Sequence, residues 1–263
     1  MAGNAMPSQH QDIAVSLPLE NRPLEDRVAL VTGASRGIGA ALAVELARLG
    51  AQLVLIARTQ GGLEETDDAI RAVSGRGATL LPLDLHKDAE KQLDLIGPSI
   101  MERFGRLDIL VHNAGVLNKL TPVAHIDPKD WAQTVGVNLT AAWRLIRSCD
   151  PPLRAAEAGR AVFVTTGRVL RPKAYWGMYG ATKAGMEHLV QSWAQEVANT
   201  PLRVNLFDPD IVATKLRAQA MPGEDPAQLT QPAEVAPALA ALCLPSETRH
   251  GERVVFAPAR PTH

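Results

Sequence analysis

Tyr179 and Lys183 stand four residues apart in a stretch of helical periodicity, so their side chains share one face, one turn apart. A free phenol, with a pKa of about 10, is a poor proton acceptor at neutral pH. Roughly 4 kcal/mol of preferential stabilisation of the phenolate would bring it into range, and a neighbouring ammonium acts in that direction. The pair suits general acid–base chemistry. A second cluster lies far upstream, in VALVTGASRGIG from Val28 to Gly39. Val28, Leu30 and Val31 fit a strand covered on both faces, after which Gly33, Gly37 and Gly39 clear the backbone of Cβ atoms. A pyrophosphate can lie against a helix N-terminus only where no Cβ intrudes. There the unpaired N–H groups and the helix dipole stabilise its charge.

These two groups of residues need a scaffold that brings them together. Leu42, Val44, Leu46 and Leu49 give a helix over 40–49, Gly50 ends it, and 53–57 is a second strand, completing a βαβ unit. Further helices are predicted over 61–74, 86–104, 131–148, 178–199 and 233–242, and further strands over 79–83, 107–111, 161–165, 203–207 and 254–256. This alternation predicts a single α/β domain with a parallel, doubly wound sheet and helices on both faces. Ligands in such sheets bind beyond the carboxyl ends of the strands, where Gly33, Asp84, Asn113, Thr166 and Pro209 fall. The Pro-rich stretch 209–232 is long for a structureless connection and reads as a lid.

The length of 263 residues suits one domain, here 24–263, preceded by a flexible extension over 1–23 that lacks the basic start and apolar core of a signal peptide. A net charge of −1 gives no global attraction to nucleic acid or an anionic membrane. Cys149 and Cys243 form no CxxC or Cys/His cluster, so neither a metal site nor a disulfide framework is expected, and the expected compartment is the cytoplasm.

Taken together, Thr32 to Gly39, Asp84-Leu85, Asn113-Ala114-Gly115, Asn138, Thr165-Thr166, Tyr179 to Lys183, and Asn205 with Pro209 and Thr214 resemble the short-chain dehydrogenase/reductase family over residues 24–257. The resemblance implies a Rossmann-type fold, a nicotinamide cofactor, and hydride exchange with a carbonyl or secondary alcohol. It assigns Gly33, Ser35, Arg36, Gly37, Ile38 and Gly39 to the cofactor's phosphates. It gives Asp84 and Leu85 to the adenine, and Asn113, Ala114 and Gly115 to the cleft floor. Lys183 is assigned to the nicotinamide ribose alongside Tyr179, Pro209 and Thr214 to the nicotinamide end, and Asn138 to a proton-relaying water. Thr166 stands 13 residues before Tyr179, where the family usually has serine; its hydroxyl has the same donor and acceptor capacity, with a methyl that narrows the pocket. Asp210 follows Pro209 where the family usually has glycine, and aspartate tolerates positive φ. If its carboxylate faces the nicotinamide, it favours the oxidised ring.

An acid at the end of the second strand would bind the adenosine ribose and repel a 2′-phosphate. Ile56-Ala57-Arg58 has none, and Arg58 and Arg36 supply two guanidinium forks, so NADP(H) is expected over NAD(H). Arg168, Arg171, Lys173, Tyr175 and Trp176 form a basic, aromatic loop suited to an anionic substrate group. The expected catalytic set is Asn138, Thr166, Tyr179 and Lys183. The expected activity is NADP(H)-dependent reduction of a small-molecule carbonyl or oxidation of the matching alcohol. The alternatives are a 3-oxoacyl-thioester reductase and a catalytically silent nucleotide-binding regulatory or scaffold protein. Met186, Leu189, Val190 and Trp193 exceed one buried stripe, and with helix 131–148 they predict a homodimer or homotetramer.

Overall fold

The computed structural model describes residues 22–88 and 92–257. The first strand, β1 (Val28–Thr32), is buried at every position and pairs on one side with β2 (Gln52–Ala57) and on the other with β4 (Ile109–His112). With β3 (Thr79–Pro82), β5 (Arg160–Val164), β6 (Arg203–Asp208) and β7 (Arg253–Val255) these make a seven-stranded, all-parallel sheet in the order β3-β2-β1-β4-β5-β6-β7. Period-two alternation then sorts the apolar side chains. Ala29, Val31, Leu53 and Leu55 point into one core layer and Val28, Leu30, Val54 and Ile56 into the other.

The first layer lies under α1 (Gly37–Arg48), α2 (Gln60–Ser74) and the late helix Pro232–Ala241. The second lies under α3 (Ile96–Phe104), the helical stretch 128–155 and the long helix Gly177–Glu196. Helices therefore cover both faces, as the sequence predicts. Met186, Val190 and Trp193 are buried in this second layer, and Leu189 beside them is half-buried. Trp131 and Trp143 are the large apolar side chains left exposed on the neighbouring stretch.

Several boundaries differ from the sequence reading for local reasons. Of the helix expected over 86–104, the described part comprises Gln92, whose amide donates to the Asp88 carbonyl at 3.1 Å, a short 3₁₀ turn, Leu93–Leu95, and α3; positions 89–91 lie outside the described residues. Asp84 and Asp88 hold the residues before it in turns: Asp84 Oδ1 accepts from the His86 and Lys87 amides, and Asp88 Oδ2 accepts from the Asp84 amide. The helix expected over 131–148 starts earlier, as α4 (Pro128–Val135), because Asp127 accepts from the Lys129 amide at 2.7 Å and Pro128 fits the first helical position. It passes through a π-helical turn, Gly136–Thr140, and continues as α5 (Ala141–Ala155). We number the long helix Gly177–Glu196 α6, the lid helix Lys215–Ala220 α7 and the late helix Pro232–Ala241 α8. The stretch after Pro209 carries α7, a 3₁₀ turn at Pro226–Gln228 and a bridge from Val212 to Thr230. The expected extension falls outside the described residues up to position 21, while Leu24 is fully buried against the first layer. No helix among the described residues is long and apolar enough to cross a membrane.

Sheet order reverses between β1 and β4, and there the loops after the two strands meet. Asn113 Nδ2 donates to the carbonyls of Thr32 at 3.3 Å and Gly33 at 3.2 Å, and the Ala114 amide donates to Thr32 Oγ1 at 3.2 Å. This closeness requires Gly39: a Cβ there would sit 2.3 Å from Gly33 O and 2.5 Å from Asn113 Nδ2. Gly39→Ala should therefore lower unfolding stability in urea by roughly 1–3 kcal/mol. Gly61→Ala, whose Cβ would meet nothing within 4 Å, should be neutral or stabilising by up to about 1 kcal/mol. Equal losses in the two variants would contradict the close approach.

Candidate active site

A cleft of about 410 Å³ opens over the carboxyl ends of the strands. The loop after β1 lines one part of it with Gly33, Ser35, Arg36, Gly37 and Ile38. Gly33 and Gly37 adopt φ of 66° and 56°, a left-handed backbone that glycine takes without strain. The N-terminus of α1, beginning at Gly37, thereby lies against the cleft with no side chain on Gly37 itself. Arg58, just past β2, stands at the same end. Arg36 and Arg58 are both exposed, and neither has an ion-pair or hydrogen-bond partner among the described residues. Leu85 and the run Asn113-Ala114-Gly115 form the floor. The residues present fit a phosphate-bearing dinucleotide at this end.

The other end carries the proton-transfer groups. α6 sets Tyr179 and Lys183 one turn apart, both buried and both lining the cleft. Thr166 comes from the loop after β5, where its Oγ1 accepts from the Arg168 amide at 3.3 Å, which leaves its own proton free to point elsewhere. Thr165 behaves differently: its hydroxyl donates to Glu187 Oε1 in the interior. Pro209, Asp210 and Thr214 close the cleft from the loop after β6, Thr214 also accepting from the Arg217 amide at the start of α7. Trp176 lies edge-on to Tyr179 at 6.0 Å, and the Arg168 guanidinium stacks over Trp176 at 5.1 Å. Leu117, Leu120, Leu216 and Met221 pack around Trp176 and Tyr179, so this end has an apolar wall with a cationic edge.

Three sequence-stretch expectations for individual residues change in the folded chain. Asp84 does not line the cleft; one carboxylate oxygen is engaged by the turn that follows β3. Asn138 also stands behind the cleft. Its side chain accepts from the Val116 amide and donates to the Val116 carbonyl, both at 2.9 Å, and donates to Thr182 Oγ1 at 3.1 Å. It thus clamps the π-helical turn to the β4 loop and to α6, a position where such turns often mark functional sites.

The third change concerns Tyr179. The sequence reading has the Lys183 ammonium making the phenol more acidic, whereas burial, reinforced by the Asp208 carboxylate, pushes the Tyr179 pKa above the ordinary value. Lys183 does not reverse this. Its Nζ donates to the Val164 carbonyl at 2.7 Å and makes no hydrogen bond to the phenol, and burial pushes its own pKa down to about 8 against the pull of Glu187. His112, on β4, is driven down to about 3 by burial and by Lys183, so it is neutral.

Sequence reasoning missed the charges behind Tyr179. Asp208, the last residue of β6, lines the cleft and pairs with Arg253 of β7, which also pairs with Glu187 of α6. The available signal was Glu187 one turn after Lys183, a carboxylate on the buried face of the helix.

Comparison with known proteins identifies the frame. The short chain dehydrogenase family model matches residues 27–225. The uncharacterized oxidoreductase YciK of Escherichia coli K12 is 35% identical over 214 residues, covering 81% of this chain and 84% of that protein. The 3-oxoacyl-[acyl-carrier-protein] reductase FabG of Pseudomonas aeruginosa is 33% identical over 210 residues, covering 79% and 83%. Among solved structures, the YciK oxidoreductase of E. coli superposes with a TM-score of 0.87 at 32% identity, over 92% of this chain and 99% of that one. A putative short chain dehydrogenase of E. coli CFT073 complexed with NADPH superposes with a TM-score of 0.85 at 34% identity, over 89% and 98%. With the parallel sheet, the glycine turn and the Tyr179–Lys183 pair in the places that family requires, this chain belongs to the short-chain dehydrogenases/reductases and is an NAD(P)-dependent oxidoreductase.

Proposed function

We propose that the protein is an NADP(H)-dependent reductase of a small-molecule carbonyl, able to oxidise the matching secondary alcohol. The observation that carries the cofactor choice is the pair Arg36 and Arg58, exposed beside the glycine turn, without partners among the described residues and with no carboxylate after β2 to repel a 2′-phosphate. The NADPH complex of the E. coli CFT073 relative supports the same choice.

Bound in this cleft, the nicotinamide supplies or accepts hydride. The chain's own groups handle the oxygen. Thr166 donates its hydroxyl proton towards the carbonyl oxygen, and Tyr179, kept neutral by burial, gives its proton to the developing alkoxide. Lys183 holds the ribose and, when charged, eases the phenolate left behind. Asn138 fixes the helix turn behind them and so acts as a positioning residue. The Leu117, Trp176 and Met221 wall excludes water from the reacting atoms.

A 3-oxoacyl thioester is the second reading for the substrate, supported by the FabG relative. Arg168 favours an anionic group on either substrate, since its guanidinium is fixed over Trp176 and has no ion pair among the described residues. Against a silent nucleotide-binding protein stands the retention of Thr166, Tyr179 and Lys183 along one cleft. Assembly as a homodimer or homotetramer is part of the proposal, with the subunit contact on the face carrying Trp131 and Trp143.

Four outcomes test this function. In fluorescence titrations NADPH should bind more tightly than NADH, and Arg58→Asp should cut that preference by roughly tenfold or more; equal affinities in the unaltered protein would refute the cofactor choice. Tyr179→Phe should lower carbonyl-dependent NADPH oxidation by about 100-fold or more. In the cofactor-free protein the Tyr179 phenolate absorbance should appear only above the ordinary tyrosine value of about 10, vanish in Tyr179→Phe, and move to lower pH when NADP⁺ is added. A step insensitive to NADP⁺ would leave Tyr179 outside the site. Finally, Arg168→Ala should raise KM for anionic carbonyls alone, by roughly tenfold; a uniform change on neutral ones would remove Arg168 from recognition.

A further inference from the structure

Asp208 ends β6 inside the cleft, on the same wall as Thr165, Tyr179 and Lys183, and is only 5% exposed. Each of its oxygens is fixed. Oδ2 takes Nη2 of Arg253 at 2.6 Å, and Oδ1 accepts the Asp210 amide at 3.1 Å. Arg253 reaches across from β7 and donates through Nη1 to Glu187 Oε1 at 2.5 Å, while the Thr165 hydroxyl donates to the same Glu187 oxygen. Arg253 Nε is buried with no acceptor among the described residues, so the guanidinium is oriented by the two carboxylates and not by the best satisfaction of its own donors.

Two carboxylates sharing one guanidinium leave a net negative charge. Its Glu187 end lies one helical turn past Lys183 and is offset by it. The Asp208 end faces the cleft. Its field is felt there, since it opposes ionisation of both Tyr179 and Asp210. Asp210 also lines the cleft but is the more exposed of the two carboxylates, so its charge is better screened than that of Asp208.

We propose that Asp208 is the charge-setting residue of this cleft: fixed by Arg253, its carboxylate stands at the nicotinamide end and favours the positively charged oxidised ring over the neutral reduced one. This rests on the NADP(H) reading above. Arg253 is then a positioning residue, and the consequence is a site that draws carbonyl reduction forward by holding its oxidised product form of the cofactor more firmly.

The test is equilibrium binding of NADP⁺ and of NADPH to the full-length protein, followed by fluorescence without substrate. Asp208→Asn should weaken NADP⁺ relative to NADPH by about fivefold or more, whereas Asp210→Asn and the charge-keeping Arg253→Lys should each change that ratio by less than about twofold. Should Asp208→Asn fail to fold, Asp208→Ser is read against the same threshold. A ratio unchanged in the folded Asp208 variant, or an equal shift in Asp210→Asn, overturns the proposal while leaving the NADP(H) reading intact. An unaltered protein that binds neither nucleotide overturns both.

Discussion

Burial around one end of the cleft drives Tyr179, Lys183 and the neighbouring His112 towards their neutral forms. Tyr179 is pushed up, Lys183 down to about 8 and His112 down to about 3, each chiefly by desolvation. Proximity of an ammonium to a phenol is therefore not enough to make a phenolate. A phenol held neutral by burial has a proton to give, which is what the proposed carbonyl reduction asks of Tyr179. To serve as a base for alcohol oxidation, the same residue needs additional positive charge in the cleft, and the apolar wall of Leu117 and Trp176 ensures that such a charge acts strongly.

That dry end is tolerable because the fold supplies partners for what it buries. Lys183 donates to the Val164 carbonyl, Thr165 to Glu187, and Asn138 satisfies both its amide and its carbonyl on Val116 and Thr182. Buried polar groups without partners would cost about 1–3 kcal/mol each. These bonds tie α6 to the end of β5 and, through Asn138, to the loop after β4, and the Arg253–Glu187 pair adds β7. The helix bearing Tyr179 is located by groups distant in sequence, and its own residues decide only that it is a helix.

This division explains what could be read from the residues alone. The glycine turn, the βαβ unit, the alternation that sets the parallel sheet, and the Tyr179–Lys183 spacing are local patterns with local causes, and all reappear in the folded chain. The π-helical turn at Asn138 was illegible because it depends on bonds to Val116 and Thr182, 22 and 44 residues away. The start of the helix expected over 86–104 differs for the opposite reason: periodicity suggested helix from 86, but two aspartates bonding nearby amides offered the backbone a better local alternative at 85–88. The desolvation that pushes Tyr179 up in the cofactor-free chain was illegible because charge is visible in a sequence and burial is not.

The ion pairs among Glu187, Arg253 and Asp208 are the furthest from sequence, joining positions 45 and 66 residues apart. Such pairs rarely stabilise a fold beyond what apolar residues of similar volume would achieve, because desolvating the charges offsets their attraction. Stability alone therefore does not account for three charged groups placed between β6, β7 and α6. Their geometry does: it fixes one carboxylate at the mouth of the cleft, where a strand end with an apolar residue would leave only bulk. A charge held by buried partners cannot swing away when a ligand enters, and this preorganisation is what distinguishes Asp208 from the exposed Asp210 two residues later.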